Sequence, residues 1–318
     1  MPALAVTDLS KTFPLGKPLF GKAPEGVRAV RPMTFSVEKG ETLGIVGESG
    51  CGKSTLARML VGLLDPTTGE IQIAGKALDN ADPAAFGRLI QYVFQDPISS
   101  LNPRKTIRQI METPLRRLYG MGRAEREARI AEIFDSVNLR EEFLTRYPHE
   151  FSGGQAQRIG IARALAASPE IIVLDEPVSA LDVSVQAQVL NLLADLRKEF
   201  GLTYLFISHD LAVVEAVSDR VIVLYFGSVV EIGRAERIFN APKHPYTQLL
   251  ADSAPVVGRP LVAPEQKGSD LPDPLNPPPG CAFAGRCPKA TEICRTQVPA
   301  LTEQGDDQLA ACHHPLDT

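Results

Sequence analysis

The sequence predicts an α/β fold: a mostly parallel sheet covered on both faces, an inserted helical subdomain, and a small cysteine-bearing module at the end. Three observations carry this reading. Short, continuously apolar runs alternate with helical stripes, and nearly eighty mainly helical residues separate two of those runs. Prolines crowd the last quarter of the chain, with thirteen of the twenty-six in residues 241–318, which sets that quarter apart from a periodic core. Buried strands between helices are what a parallel sheet with helical crossovers requires.

Each element follows from its own pattern. Thr42-Leu43-Gly44-Ile45-Val46 is an apolar strand, followed at once by a Gly-rich turn and a helix through Leu56 and Leu60. Glu70-Ile71-Gln72-Ile73 alternates like a half-buried strand, and residues 89–94 read as another. Residues 124–137 repeat Ile130, Ile133, Phe134 and Val137 on one helical face. Ile171-Ile172-Val173-Leu174 is a fully buried strand. Asp182 is placed to cap a helix whose stripe is Val185, Val189, Leu192, Leu193 and Leu196. Residues 202–208 and 220–224 are two further strands. The main domain is read as residues 1–250, with the helical subdomain at about 97–168. Residues 251–318 form a Pro-rich linker and the cysteine module. Segment 253–280 has no period and carries Pro277-Pro278-Pro279, as a linker or extended wrap would.

Composition narrows the function classes. A chain of 318 residues with 44% hydrophobic and 22% charged residues is long enough for a large core plus an appendage. Thirty-three Lys plus Arg against thirty-eight Asp plus Glu gives a net charge of -5, which lacks the basic stripe of a broad nucleic-acid surface. No run of eighteen apolar residues is present, and the first residues have neither the basic flank nor the apolar stretch of a secretory signal. Five cysteines, one of them (Cys51) far from the rest, do not suggest a disulfide scaffold.

The chemistry concentrates at strand ends. Gly47-Glu48-Ser49-Gly50-Cys51-Gly52-Lys53-Ser54-Thr55 satisfies the phosphate-loop pattern, with a strand before it and a helix after it. Glycines let the backbone curl so that successive N–H groups face a polyphosphate. Lys53 is placed to neutralise phosphate charge and Ser54 to put its hydroxyl on Mg²⁺, with Thr55 nearby. Cys51 fills its place in the loop. Asp175 and Glu176 end the strand 171–174, where a carboxylate points into the crevice beside the loop. Asp175 suits Mg²⁺ held through water, and Glu176 suits polarising an attacking water. His209 and Gln95 end strands in the same manner. His209 either positions that water or caps the next helix, and Gln95 either completes the metal and water shell or satisfies loop carbonyls.

Cys281, Cys287, Cys294 and Cys312 are separated by five, six and seventeen residues. Four thiols around Pro/Gly-rich turns can close a tetrahedral shell, which suits zinc or an iron–sulfur cluster; free or disulfide-forming thiols are the third reading. His313 and His314 follow directly as fallback ligands or solvent-facing residues.

Phe151-Ser152-Gly153-Gly154-Gln155-Ala156-Gln157-Arg158 resembles the signature of the ATP-binding-cassette family, with Phe where Leu is usual. Phe94-Gln95-Asp96-Pro97 resembles the family's Q-loop, Ser179-Ala180-Leu181-Asp182 its D-loop, and His209 its switch histidine. Phe13 resembles the aromatic that stacks on adenine, a core phenylalanine being the alternative. Tyr147-Pro148-His149-Glu150 before the signature, His244-Pro245-Tyr246-Thr247 and the cysteine tail resemble the peptide-importer subfamily.

The resemblance implies a P-loop ATPase core with an antiparallel β subdomain and the helical insertion. It implies ATP and Mg²⁺ as cofactors and a [4Fe–4S] cluster on the four tail cysteines. It also implies that Ser152, Gly153, Gly154 and Gln155, with Asp182 at the seam, act on ATP held by a second, non-identical ATPase subunit. The function it implies is ATP hydrolysis that powers import of di- or oligopeptides. Import of nickel or another small solute, or a non-transport role, is the alternative. Expected partners are two integral membrane permease subunits and an extracytoplasmic binding protein, with no nucleic acid. The expected location is peripheral, on the cytoplasmic face of the cell membrane.

Overall fold

The computed structural model describes residues 1–16, 26–77, 82–253 and 271–317. Part of the expected linker (254–270) and part of the Gly/Pro-containing stretch after Phe13 (17–25) lie outside the described residues. The chain opens with β1 (Leu4–Pro14), β2 (Gly26–Val37), β3 (Thr42–Val46), α1 (Lys53–Leu60), β4 (Thr68–Ile73) and β5 (Lys76–Ala77). Next come α2 (Pro83–Leu89), β6 (Ile90–Val93), α3 (Ile107–Tyr119), α4 (Arg123–Ser136), α5 (Gly153–Leu165) and β7 (Ile171–Asp175). The second half adds α6 (Val183–Phe200), β8 (Thr203–Ile207), α7 (Leu211–Val217), β9 (Arg220–Tyr225), β10 (Ser228–Arg234), α8 (Ala235–Asn240) and α9 (Pro245–Ser253). The tail contributes α10 (Glu292–Thr296), β11 (Thr302–Glu303) and β12 (Leu309–Ala310).

Two sheets result. The larger has the order β11-β12-β10-β9-β3-β8-β7-β6, and its run from β9 to β6 is parallel, as the apolar runs predict. The smaller, β2-β1-β4-β5, is antiparallel. Side chains of β7 alternate between two cores. Ile171 and Val173 face the layer shared with the small sheet, whereas Ile172 and Leu174 face the helices. This is why the strand reads as uniformly apolar: neither face meets water. Between β6 and β7 the helical insertion gathers Ile107, Met111, Leu115, Ile130, Ile133 and Phe134 into the helix-side core. Asp182 caps α6 as expected, its Oδ1 accepting from the Val185 N–H at 3.0 Å.

The tail is joined to the main sheet. β12 pairs antiparallel with β10, Glu231 opposite Ala310 and Ile232 opposite Leu309. Glu231 is fully buried and accepts from the N–H groups of Lys243 (2.7 Å) and His244 (2.9 Å) and from Gln308 Nε2 (2.6 Å). One carboxylate thereby ties β10, the start of α9 and the tail, and satisfies donors that would otherwise be stranded. Phe283 is also buried, with its ring 5.4 Å from those of Tyr225 and Tyr246.

His244 lies in this junction with Nδ1 accepting from the Tyr246 N–H at 3.0 Å, and burial lowers its pKa to about 4. An ordinary histidine titrates near 6.5, so between these values the unfolded chain takes up the extra proton. Stability from this site is whole above about pH 6.5 and is lost as pH falls toward about 4. His244→Gln is expected to flatten this acid limb, which thermal unfolding midpoints of both proteins across that range will read.

Candidate functional site

The site lies along the C-terminal ends of the parallel strands β3, β6, β7 and β8. The loop after β3 turns with positive φ at Gly47 (154°), Gly50 (81°) and Gly52 (105°). A Cβ on Gly47 would sit 2.2 Å from the Leu224 carbonyl oxygen, and one on Gly52 2.3 Å from that of Ala29. The loop is thus wedged between β9 and β2, and only glycine fits at those two points. Cys51 is buried, and burial raises its thiol pKa, so it packs and does not react. Lys53 begins α1, is buried, and donates through Nζ to the carbonyls of Gly47 (2.6 Å) and Glu48 (3.1 Å). Ser54 is exposed and Thr55 half-buried in the same first turn.

Across the crevice, Asp175 ends β7 and is buried, accepting a hydrogen bond from the Tyr92 hydroxyl. Burial raises the Asp175 carboxyl pKa, the Tyr92 bond opposes the rise, and the neighbouring Glu176 charge adds to it. Burial likewise pushes the Tyr92 hydroxyl up. Glu176 adopts a left-handed conformation, φ 48°, fixed by its N–H donating to the Ile207 carbonyl at 2.8 Å. A non-glycine residue held there carries strain, a feature that clusters at functional sites. The turn aims its side chain at two partners. Gln95 Nε2 donates to Glu176 Oε2 at 2.8 Å, and His209 Nδ1 lies 3.1 Å from Glu176 Oε1. The structure therefore brings together Gln95, Glu176 and His209, three of the four residues singled out from strand ends.

Residues 152–155 stand elsewhere. Ser152 caps α5 in a reciprocal box: its Oγ accepts from the Gln155 N–H at 3.4 Å, and Gln155 Oε1 accepts from the Ser152 N–H at 3.2 Å. Ser152 and Gly153 are exposed. A Cβ on Gly154 would lie 2.5 Å from Val185 Cγ1, so α5 and α6 meet closely at their starts. Among the described residues, no hydrogen bond or ion pair joins residues 152–155 to residues 47–55. Asp182 is exposed, and its bonds to the Val185 N–H and Ser184 hydroxyl lower its pKa. Phe13 is 40% exposed at the end of β1, with Lys11 Nζ 5.5 Å from its ring centroid, so it is not a core phenylalanine.

The expectation of a [4Fe–4S] cluster on Cys281, Cys287, Cys294 and Cys312 is corrected. Among the described residues, no group of three or more His, Cys, Asp or Glu side chains is placed to hold a metal ion. The four cysteines are free and border a cavity of about 10 Å³, room for one water at most. Burial raises the pKa of Cys281, Cys287 and Cys312, the last to about 11. The histidines are occupied: His313 Nε2 is 3.0 Å from the Gln297 carbonyl and His314 Nε2 2.8 Å from the Thr291 hydroxyl. The module is held by Phe283 packing and by the sheet extension.

Sequence reasoning missed Tyr92, whose signal is an aromatic with a polar tip in an otherwise apolar strand, and Glu48, whose carboxylate is engaged from outside the loop. Gly52→Ala is expected to destabilise the protein by more than about 1 kcal/mol, because it combines a positive φ with a backbone clash. Urea unfolding measured beside the parent will show it.

Known proteins share this architecture. The ABC transporter family matches residues 30–179, and the oligopeptide/dipeptide transporter C-terminal region matches residues 230–294. The oligopeptide transport ATP-binding protein AppF of Bacillus subtilis is 50% identical over 320 residues, covering 98% of this chain and 96% of that protein. The dipeptide transport ATP-binding protein DppF of Haemophilus influenzae is 49% identical, with 98% and 97% covered. Among solved structures, the ATP-binding cassette MJ0796, a dimer in a post-hydrolysis state bound to ADP and Pi, superposes with a TM-score of 0.65 at 32% identity, covering 73% of this chain and 98% of that one. Among the described residues, no helix is long and apolar enough to cross a membrane. With its phosphate loop, signature and strand-end acids in this arrangement, the chain belongs to the ABC-transporter family as an ATP-binding, ATP-hydrolysing subunit closely related to oligopeptide and dipeptide transport ATPases.

Proposed function

We propose that this chain powers import of di- or oligopeptides by hydrolysing ATP in a head-to-tail pair with a second, non-identical ATPase subunit. The observation that carries the chemistry is the convergence of Gln95 and His209 on Glu176, across the crevice from Lys53. The peptide cargo rests on relatives named for oligopeptide and dipeptide transport and matched over nearly their full length.

The residues present suit a magnesium-bound nucleotide. Lys53 is a buried cation whose ammonium is met by the Gly47 and Glu48 carbonyls, a cradle of the kind phosphate oxygens complete. Asp175 is a buried carboxyl that a nearby cation would keep ionised. Ser54, Gln95 and Asp175 would hold Mg²⁺, which when bound draws charge off the β and γ phosphates. The backbone of Gly47, Ser49, Gly50, Cys51 and Gly52, with Thr55, would hold phosphate oxygens, and Phe13 would lie on the adenine. Glu176 accepts a proton from, or orients, the attacking water, while Gln95 and His209 fix its two carboxylate oxygens. Most of the rate gain comes from positioning and charge stabilisation.

The separation of residues 152–155 from the phosphate loop supports the paired arrangement. Their exposed Ser-Gly-Gly start of α5 offers N–H groups and the positive end of a helix dipole to an anion on another subunit, beside Asp182. A groove of about 510 Å³ between the core and the helical insertion, bordered by Leu63, Phe86, Gln91, Phe94 and Arg163, suits a helix of a permease subunit. Two permease subunits and an extracytoplasmic binding protein complete the assembly, with the chain peripheral at the cytoplasmic face.

Glu176→Gln in the purified complex is expected to keep MgATP binding within about threefold and to lower turnover by at least about a hundredfold. Equilibrium nucleotide titration and phosphate release measure the two quantities, and unchanged hydrolysis overturns the role of Glu176. Uptake of labelled di- and oligopeptides by reconstituted vesicles tests the cargo.

A further inference from the structure

A carboxylate in a loop that binds polyphosphate is an electrostatic liability, yet Glu48 sits between Gly47 and Ser49. Its surroundings show how the charge is managed. Arg286, from the cysteine module 238 residues away in sequence, donates Nη1 to Glu48 Oε2 at 2.8 Å and Nη2 to Oε1 at 2.9 Å. This two-point fork is the strongest geometry an ion pair adopts. It is also shielded, with side-chain exposures of 18% for Arg286 and 29% for Glu48.

The guanidinium is itself held. It lies 5.9 Å from the ring centroid of Tyr225 and 5.7 Å from that of Phe283, in the aromatic cluster that seats the module. The backbone of Glu48 is gripped from the same side, its N–H donating to the Tyr246 hydroxyl at 3.0 Å. Its carbonyl accepts from Lys53 Nζ at 3.1 Å. A continuous chain of contacts therefore runs from the module, through Glu48, to the lysine of the phosphate loop.

We propose that Arg286 is a positioning residue for the nucleotide site: it neutralises Glu48 and draws that carboxylate toward the module, leaving the loop receptive to the negative phosphates of ATP. The C-terminal module thereby sets nucleotide affinity without touching the nucleotide. The proposal rests on the assignment of residues 47–55 to the phosphates.

The test measures MgATP binding to the full-length chain by fluorescent-analogue competition, and KM and kcat in the complex. Arg286→Met keeps an apolar stem on Tyr225 and Phe283 but removes the charge. It is expected to raise the dissociation constant and KM about tenfold, with kcat changed less than about twofold. Glu48→Gln alone is expected to bind within about threefold of the parent. The decisive protein is Glu48→Gln combined with Arg286→Met, expected to recover that affinity, because with no carboxylate there is nothing to neutralise. A purely structural Arg286 would give no such rescue. The proposal is overturned if Arg286→Met binds within twofold of the parent, or if the double variant binds no tighter than Arg286→Met. Should Arg286→Met fail to fold, Arg286→Gln with the same rescue serves in its place. Lys53→Ala separates the two layers of the argument: if it binds MgATP as well as the parent does, the assignment of the loop fails, and the role of Arg286 fails with it.

Discussion

Between β3 and α1 the backbone must pass through a space with no room for a side chain at either end. Gly47 abuts the Leu224 carbonyl of β9 and Gly52 the Ala29 carbonyl of β2. Those two contacts fix the loop to both sheets at once. The buried position of Lys53 follows from it, and the crevice opposite is built to match. Asp175, Glu176 and His209 reach that crevice because β7 and β8 run parallel to β3 and end at the same level.

The charges in this crevice are arranged so that each is met. Lys53 has loop carbonyls, Asp175 has Tyr92, Glu176 has Gln95 and His209, and Glu48 has Arg286. An unmet charge at such depth would cost several kcal/mol. The partners come from the loop after β3, from β6 and the loop after it, from the loop after β8 and from the cysteine module, so the electrostatics of the site depend on segments far apart in sequence.

That distribution explains what was legible in the amino-acid sequence. The parallel strands read directly, because burial on both faces leaves uninterrupted apolar runs such as residues 171–174. The phosphate loop and the strand-end acids read directly, because their chemistry demands particular residues at fixed spacing. Strands β1 and β2 left little pattern: shifts of register between Val6 and Leu9, Leu9 and Lys11, and Lys11 and Thr12 break their alternation. Tyr92 and Asp175 are 83 residues apart and Arg286 and Glu48 are 238 apart, separations at which only the fold reveals a partner. The four tail cysteines misled for a different reason. Spacing reports that thiols are near one another in sequence, but says nothing about whether the fold leaves room between them for a metal.

The pairing of β12 with β10 has a consequence during synthesis. The chain leaves the ribosome from its N-terminus, so β10 emerges next to a completed β9 with its other edge bare. Glu231 then waits for Gln308, 77 residues later, before its burial is matched by a full set of donors. Over that interval the nascent domain presents an open strand edge and an exposed aromatic seat, the kind of surface on which chains pair with one another or recruit a chaperone. Pairing of β12 with β10 therefore makes this late-emerging segment the piece that closes the open edge of the sheet.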